Sequence, residues 1–463
     1  MTKKTKTIII VFGVLLLLAG GYYISTIWRN AQIEEFVWTP RQLNPILGNM
    51  DGSKIVRIEI PNMILERNND QWELISLDGA APPAWLILDQ RQVTNMAYSF
   101  ASIWTDGIVE EEPEDISIYG FDEPSFRAIV TDIDGNRVEY IRGDLTPSLT
   151  SYYFMEEGDP RVYTVFIFTA ENLELSTSRI RPRLSFPMFD VPIIENLTIE
   201  SRTANIAINY RPDIVPAYLS TSFSSHLLTS PYAIPRGAHN ESFYDLVDNL
   251  NSITFLDYED DEPSSLSYYG LDRPSRVFVQ SFYDTLDILV GNTIGDNIYY
   301  AKLPNEPAVI TVSGFDAILN ATPFSLVDKF ALISLIDNVD RLTVTEGSRS
   351  LTATFQGSNE DTVFHLNGRQ AQDRPFREWY QAVIGLLFDG EISGPLETPV
   401  NTEENIVIEY ELNIFPGARA SITLVPYNRN FYALRQEGTM EFLISREQVN
   451  LIWERADSVL FID

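Results

Sequence analysis

One sequence pattern occurs twice in this chain, as SIYGFDEPSFRAIVTD at residues 117–132 and as SYYGLDRPSRVFVQSF at residues 267–282. In each copy a YG-x-D-x-P turn leads into an alternating apolar strand, and an acidic run precedes it. Glycine adopts a left-handed backbone at little cost and proline fixes φ, so the pattern predicts a tight turn before a strand. Its recurrence 150 residues further on indicates an internal repeat.

The residues after the turn repeat as well. Each copy continues with a strand that ends in glycine, YIRGD at 140–144 and ILVGN at 288–292, and then with an aromatic-rich strand. Between turn and glycine, the first copy reads as a hairpin with Asp134-Gly135 at its tip, since glycine supplies a positive φ there. A weaker third copy lacks the turn motif but keeps ITLVPYN at 422–428 and NFYALRQEGTMEFLI at 430–444.

All three copies open with an alternating strand followed by one amphipathic helix. The strands are VRIEI at Val56, LTIES at Leu197 and LTVTE at Leu342. Apolar residues at helical spacing mark the helices, and they are Val93, Met96, Ala97, Phe100 and Trp104; Phe243, Leu246, Val247 and Leu250; and Trp379, Tyr380, Val383, Ile384 and Leu387. Side-chain oxygens that accept first-turn amides make Asp89, Asn240 and Asp373 the predicted N-caps.

The predicted fold class is therefore α+β, with three tandem units that each consist of an antiparallel sheet covered by one amphipathic helix. The predicted bounds are 53–190 for the first unit, 191–335 for the second and 336–463 for the divergent third. Residues 212–237 of the second unit, rich in Ser, Pro and Tyr, read as a long loop or small subdomain of the kind that often carries function.

The N-terminus predicts a membrane anchor. Residues 7–28 contain no charged side chain, which is long enough for a helix across a bilayer core. Three lysines in residues 1–6 favour a cytoplasmic N-terminus, and Tyr22, Tyr23 and Trp28 suit the far interface. We expect a cytoplasmic tip and anchor at 1–28 and a tether at 29–52. A signal peptide cleaved near Ala19-Gly20-Gly21 is the alternative, and both readings export the body.

Composition excludes several kinds of function. The 463 residues carry a formal net charge of −32, and such a surface repels a phosphate backbone, so no nucleic-acid partner is expected. The absence of cysteine excludes disulfides, thiol nucleophiles and cysteine metal sites. We found none of the motifs H-E-x-x-H, G-x-S-x-G or G-x-G-x-x-G and no phosphate loop. No catalytic, metal-binding or cofactor-binding residue is predicted.

The remaining candidate functional residues can all be explained by structural roles. The acidic runs at 110–115 and 259–262 lack the spacing of a calcium loop and read as solvated charge. Asp122 and Asp272 of the turns are expected to bond the amides that follow them. His226, His239 and His365 show no ligand spacing and read as structural or exposed.

The YGFDEP and YGLDRP turns, each after a helix and an acidic stretch, resemble the signature of the domain of unknown function 4340 family, with two clear copies and a divergent third. The family has no established reaction. The resemblance implies a bacterial envelope protein with one N-terminal anchor, associated with ABC-type transporter components of the gliding-motility class.

These features predict a non-enzymatic, membrane-anchored extracytoplasmic scaffold or accessory subunit of an envelope complex. The expected location is the bacterial cytoplasmic (inner) membrane, single-pass, with the N-terminus inside and the body in the periplasm or extracytoplasmic space. The expected partners are the membrane and subunits of an ABC-type transporter. A glycan- or peptide-binding module with its surface at 212–237 is the alternative, and an acid–base hydrolase using two of the 65 acidic residues is a third hypothesis.

Overall fold

The computed structural model describes residues 45–220, 222–357, 362–393 and 402–462. The predicted anchor at 7–28 and the tether up to residue 44 lie outside the described residues. Among the described residues, none of the helices is both long and apolar enough to cross a membrane. The chain divides into two compact units, Met1–Pro182 and Arg183–Asp463.

The first unit is built on an eight-stranded antiparallel sheet with the order β4-β3-β2-β7-β8-β9-β10-β6, and β1 pairs separately with β5. Its helices are α1 (Gln90–Ala101), α2 (Ile167–Glu171) and α3 (Thr177–Ile180). The strands are β1 (Ile46–Leu47), β2 (Ile55–Ile60), β3 (Met63–Asn68), β4 (Gln71–Leu77), β5 (Ile103–Trp104), β6 (Gly107–Glu110), β7 (Phe126–Asp132), β8 (Arg137–Leu145), β9 (Ser151–Glu156) and β10 (Val162–Phe166).

The second unit contains two nine-stranded sheets. The first of them has the order β14-β13-β12-β11-β16-β17-β18-β19-β15. Its helices are α4 (Ala217–Ser220), α5 (Asn240–Asn251), α6 (Asp316–Leu319) and α7 (Pro323–Leu326). The strands are β11 (Ile194–Glu200), β12 (Asn205–Tyr210), β13 (His226–Ser230), β14 (Arg236–Gly237), β15 (Thr254–Asp260), β16 (Ser275–Ser281), β17 (Thr285–Gly295), β18 (Ile298–Lys302) and β19 (Val309–Ser313).

The last sheet has the order β23-β22-β21-β20-β25-β26-β27-β28-β24. Its helices are α8 (Asp373–Ile384) and α9 (Arg446–Asp457), which pack against each other. The strands are β20 (Val339–Glu346), β21 (Arg349–Gln356), β22 (Val363–Leu366), β23 (Arg369–Gln370), β24 (Gly390–Glu391), β25 (Ile406–Leu412), β26 (Arg419–Pro426), β27 (Phe431–Gln436) and β28 (Thr439–Ser445).

The three sheets share one topology, which confirms the mixed α+β class and the antiparallel sheets. In each sheet the first long strand (β2, β11 or β20) pairs on one side with the next strand in the chain. On its other side it pairs with β7, β16 or β25, which comes after the long helix. A strand that follows the long helix lies at the far edge of each sheet, as β6, β15 or β24. The third sheet keeps this order without the turn motif. It has a second long helix, α9, whereas only one helix per unit was predicted.

Burial explains why these segments fold as they do. The strands alternate between buried and exposed residues, as β7 does with its pattern of Phe126, Ala128 and Val130 inward. The predicted hairpin is present, and Gly135 at its tip has φ +86°. The first sheet and α1 enclose one apolar core, whereas the two sheets of the second unit contribute to a single continuous core.

Only one of the three predicted N-caps is confirmed. Asp89 accepts hydrogen bonds from the amides of Arg91 and Gln92, both at 3.0 Å. The other two helices begin at the predicted residues themselves, so the caps are one residue earlier, at His239 and Gln372. Asp373 instead lies in the first turn of α8, where a carboxylate favours the positive end of the helix dipole.

Candidate functional site

The repeated YG-x-D-x-P turn covers the face of the sheet opposite the main core. Tyr119, Phe121 and Val162 form a small apolar cluster of their own, against which Ile141 packs. Tyr140, the neighbour of Ile141 in β8, belongs to the main core, because alternate residues of a strand point to opposite faces. In the second copy the equivalent cluster consists of Leu271, Tyr300 and Val309, with Leu266, Tyr269 and Leu289 packed against it.

Two glycines in each copy allow the turn to lie directly on the sheet. Gly120 and Gly270 have φ values of +82° and +70°, in the left-handed region. A Cβ on Gly143 in β8 would overlap the carbonyl oxygen of Tyr119, and one on Gly291 in β17 would overlap that of Tyr269. The glycine that ends the strand in the repeat pattern is therefore required by the backbone of the turn above it.

A tyrosine in each turn binds one carboxylate of the preceding acidic run. The Tyr119 hydroxyl donates to Glu110 Oε2 at 2.6 Å, and the Tyr269 hydroxyl donates to Asp260 Oδ2 at 2.7 Å. The hydrogen bond to the carboxylate raises the pKa of each tyrosine to about 12. The acidic runs therefore contribute to the fold, and in the first run Asp115 also accepts a hydrogen bond from the Ser117 amide of the turn at 2.9 Å. Asp122 and Asp272, which were expected to bond the turn, make no hydrogen bond with any described residue and are exposed.

Replacement of Tyr119 by phenylalanine is expected to cost the first unit about 1 kcal/mol, the typical net contribution of one hydrogen bond. The folded pKa lies above the ordinary value of 10.0 at about 12, so this contribution is complete below pH 10 and is lost as the pH rises through 12. Urea unfolding followed across this range measures both effects. Tyr153→Phe, which alters the ring packed edge-on against Tyr119, is the control. Equal losses in the two variants would contradict the assigned role of the Glu110 bond.

A second polar cluster lies within the second unit and involves the segment 212–237. This segment is not one long loop, because it contains α4, β13 and β14. Its last strand places the guanidinium of Arg236 in the interior, where it donates a hydrogen bond to Gln436 Oε1 of β27. Arg236 Nη2 also lies 3.8 Å from Glu441 Oε2 of β28.

Three further contacts join this segment to the last sheet. The Tyr232 hydroxyl donates to Glu391 Oε1 at 2.8 Å, and the Ala233 amide donates to Glu441 Oε1 at 2.7 Å. The Arg236 guanidinium stacks over the Phe442 ring at 5.1 Å from its centroid. This segment of the second copy therefore fixes it to the third. We call Arg236, Asp328, Gln436 and Glu441 the Arg236 cluster, and Lys329 follows Asp328 in the chain.

Burial perturbs the ionisable groups of the Arg236 cluster and of Lys329. Desolvation lowers the pKa of Arg236, although Glu441 partly opposes it. Desolvation also raises the pKa of Asp328 and lowers the pKa of Lys329 to about 8. Lys329 Nζ donates to the carbonyl of Phe324. Perturbed groups of opposite charge in one interior site are a feature of functional centres and also of structural ion networks.

The size of the neighbouring cavity distinguishes a functional centre from a structural ion network. A cavity of about 30 Å³ is lined by Arg236, Asp328 and Gln436, among others. Sites for small molecules occupy roughly 300–1,000 Å³, whereas one water needs only about 10–15 Å³. The cavity accepts water and no substrate. The Arg236 cluster is thus suited to hold two sheets together, with Arg236 Nε and Gln436 Nε2 having no protein partner and facing a water-sized space.

The other candidate residues have structural positions. His226 is fully buried, with Nε2 2.9 Å from the carbonyl oxygen of Ile194, and burial lowers its pKa. His239 is the cap of α5, and His365 lies in β22. Within the described ranges, three or more His, Cys, Asp or Glu side chains do not come together in a way that could hold a metal ion.

Sequence reasoning found the segment of the Arg236 cluster but not its residues. The segment 212–237 stands out in the sequence because it is rich in Ser, Pro and Tyr, although its strand β13 occupies the place of β4 in the first sheet. The partners Gln436 and Glu441 are about 200 residues away in the chain, and their own sequence context is that of ordinary strands. A single arginine inside an apolar and aromatic segment was the available signal.

Together these features define an α+β protein in which one sheet-and-helix fold is repeated and two copies are joined through buried polar contacts. The chain belongs to the family described as Domain of unknown function (DUF4340), whose model matches residues 50–204 and 227–387. These two matches agree with the two clear copies expected from the turn motif. Comparisons with curated proteins and with solved structures give no match.

Proposed function

We propose that this protein is a non-enzymatic scaffold or accessory subunit of an envelope complex, anchored in the bacterial cytoplasmic membrane by residues 7–28. The N-terminus lies inside and the folded body lies on the extracytoplasmic side. The complex is an ABC-type transporter of the gliding-motility class. The anchor and its orientation are supported by the uncharged segment and by the lysines before it.

The scaffold role is supported chiefly by the way in which the second and third sheets are joined. They share one apolar core, and the Arg236 cluster adds buried polar contacts whose cavity is too small for a substrate. Two sheets joined in this way offer partners a surface to which both contribute. The glycan- or peptide-binding alternative at 212–237 has less support, because Tyr232 and Arg236 of that segment are buried in the junction.

Topology reporters test the anchor. Alkaline phosphatase fused after Asp463 should be active, and a fluorescent protein that folds only in the cytoplasm should be dark at the same site. A variant with Leu16→Asp and Leu17→Asp should leave the membrane fraction, because charged residues at the centre of a span cost about 2.5–3.5 kcal/mol each. The matched control carries Leu16→Ile and Leu17→Ile and should behave as the wild type. A fluorescent C-terminal fusion would contradict the orientation.

Affinity purification from membranes tests the partner. After gentle extraction and crosslinking, the full chain should recover transporter permease and ATPase subunits in amounts above those found with the Leu16→Asp, Leu17→Asp variant. Recovery of the chain alone under these conditions would contradict the proposal.

A further inference from the structure

Five exposed apolar side chains surround a groove in the first unit. Tyr98 and Trp104 line the groove, which has a volume of about 330 Å³ and lies between the end of α1, β5 and α2. Thr169 lines it as well, and this residue follows Phe168. We call this surface the Trp104 patch, and the exposed fractions of its members are 51% for Tyr98, 57% for Trp104, 68% for Leu149, 42% for Phe166 and 67% for Phe168.

Contacts within the unit place the remaining members beside the groove. The rings of Phe166 and Phe168 are 5.4 Å apart, at the end of β10 and the start of α2. The Ile167 amide donates to the carbonyl of Thr150 at 2.9 Å, so Leu149 is one residue away from a backbone contact with this segment. Apolar side chains with such exposure are ordinary when scattered, whereas a contiguous group indicates an interaction surface.

The Trp104 patch lies where the described chain begins. The carbonyl of Pro45 accepts from the amide of Thr105 at 3.3 Å and from its hydroxyl at 2.7 Å. Ile46 pairs with Trp104 itself, as β1 with β5. Residues 29–44 separate this point from the predicted anchor, and sixteen residues can span at most about 58 Å. The patch therefore lies within that distance of the bilayer surface if residues 7–28 span the membrane.

The second copy of the fold lacks three of these aromatic residues and keeps the counterpart of Phe168 as Phe315. Helices α1 and α5 have equal lengths and are 150 residues apart, so Tyr98 and Trp104 correspond to Asp248 and Thr254. The last residue of β10 is Phe166, and that of the equivalent strand β19 is Ser313. All three substitutes are polar. The fold does not require these three aromatic residues, which occur in the copy next to the predicted anchor.

The chemistry of the Trp104 patch fits the boundary between lipid and water. Tryptophan and tyrosine favour this depth because each has an apolar ring and a polar group. No charged residue lines the groove. Phe166, Phe168 and Leu149 offer no hydrogen-bonding group to the hydroxyls of a glycan. We propose that the Trp104 patch rests in the headgroup region of the membrane that holds the anchor, an inference that depends on the proposed function.

Single cysteines can test this contact, since the chain has none of its own. Ser99→Cys places a label in the groove, and Glu73→Cys places one on β4, at the other edge of the sheet from β10. Six strand spacings of about 4.8 Å separate those strands, or about 29 Å. The full chain carrying an NBD label is reconstituted into phosphatidylcholine–phosphatidylglycerol vesicles, with and without spin-labelled lipid. The groove label should be quenched at least threefold more than the β4 label.

The variant Tyr98→Asp, Trp104→Thr, which carries the residues of the second copy, should reduce this excess quenching to the level of the β4 label. Phe168→Ser alters only an exposed side chain, so it should lower the excess quenching of the groove label without affecting the fold. Equal quenching of both labels in chains that remain in the vesicles would overturn the inference and leave the proposed function standing. Chains that fail to enter the vesicles would overturn both. A response of the groove label to peptidoglycan fragments, without lipid quenching, would overturn it in favour of a glycan.

Discussion

The variant Arg236→Ala is expected to lower the free energy of unfolding of the second unit by about 3–5 kcal/mol, the range seen when one partner of a buried ion pair is removed. The side chain of Arg236 is 6% exposed, and its removal leaves Gln436 Oε1 without this donor and the Glu441 carboxylate without its cation. Its stem and guanidinium also pack on Phe442, so packing is lost together with the charge.

Urea unfolding of the full chain measures the loss of unfolding free energy, and hydrogen exchange of the amides in β14 and β28 locates it. The matched control is Arg419→Ala on the last sheet, whose side chain is 74% exposed and pairs with Glu411. That surface pair is worth about 0–1 kcal/mol. If Arg236→Ala cost no more than the control, the role assigned to the Arg236 cluster would be wrong.

A double-mutant cycle separates the ion pair from the packing. Glu441→Gln removes the negative charge but keeps a side-chain oxygen that can accept the hydrogen bond from the Ala233 amide. Combined with Arg236→Ala, it should cost less than the two single changes together, with a coupling energy of about 1–3 kcal/mol. Strict additivity would show that the guanidinium acts through Gln436 and the aromatic rings alone.

The repeated sheet topology was predictable because it depends on local signals. Alternating strands, the helical stripes and the glycine of the Asp134-Gly135 hairpin each act over a few residues. The structure contains them, except that Trp104 and Leu387, predicted as the last residues of two stripes, lie beyond the ends of α1 and α8 and are exposed. The caps at His239 and Gln372 were missed by one residue. At His239 an imidazole accepts the amide of Ser242 in place of Asn240, whereas the Gln372 side chain makes no capping hydrogen bond.

The Arg236 cluster was not predictable in the same way. Its members come from β14, the stretch after α7 and the strands β27 and β28, and no spacing in the sequence relates them. The Trp104 patch was hidden for the opposite reason. Trp104 continues the helical stripe of Val93, Ala97 and Phe100, which are buried, but α1 ends at Ala101 and leaves Trp104 exposed in β5. Periodicity alone therefore assigned it to the core.

The variant Gly143→Ala is expected to cost the first unit about 3 kcal/mol or more, the upper range for overpacking a well-packed site. A Cβ at this position would overlap the Tyr119 carbonyl oxygen and lie 3.1 Å from the ring of Phe121. The first neighbour is backbone in the turn and cannot rotate away. The turn would have to lift from β8, which would also separate the Tyr119 hydroxyl from Glu110.

Two other glycines of the same unit serve as controls for Gly143→Ala. A Cβ on Gly107 in β6 meets no atom within 4 Å, and its φ is not positive, so Gly107→Ala should be neutral within about 0.5 kcal/mol. Gly135 is equally open but has φ +86°, so Gly135→Ala should cost about 1–2 kcal/mol from the left-handed backbone alone. We expect the loss of unfolding free energy, measured with urea, to decrease in the order Gly143→Ala, Gly135→Ala, Gly107→Ala. This order would separate the effect of the turn lying close to β8 from the effect of backbone strain. If Gly143→Ala cost no more than Gly135→Ala, the turn would not rest on the strand as described, and the repeated strand-ending glycine would need another explanation.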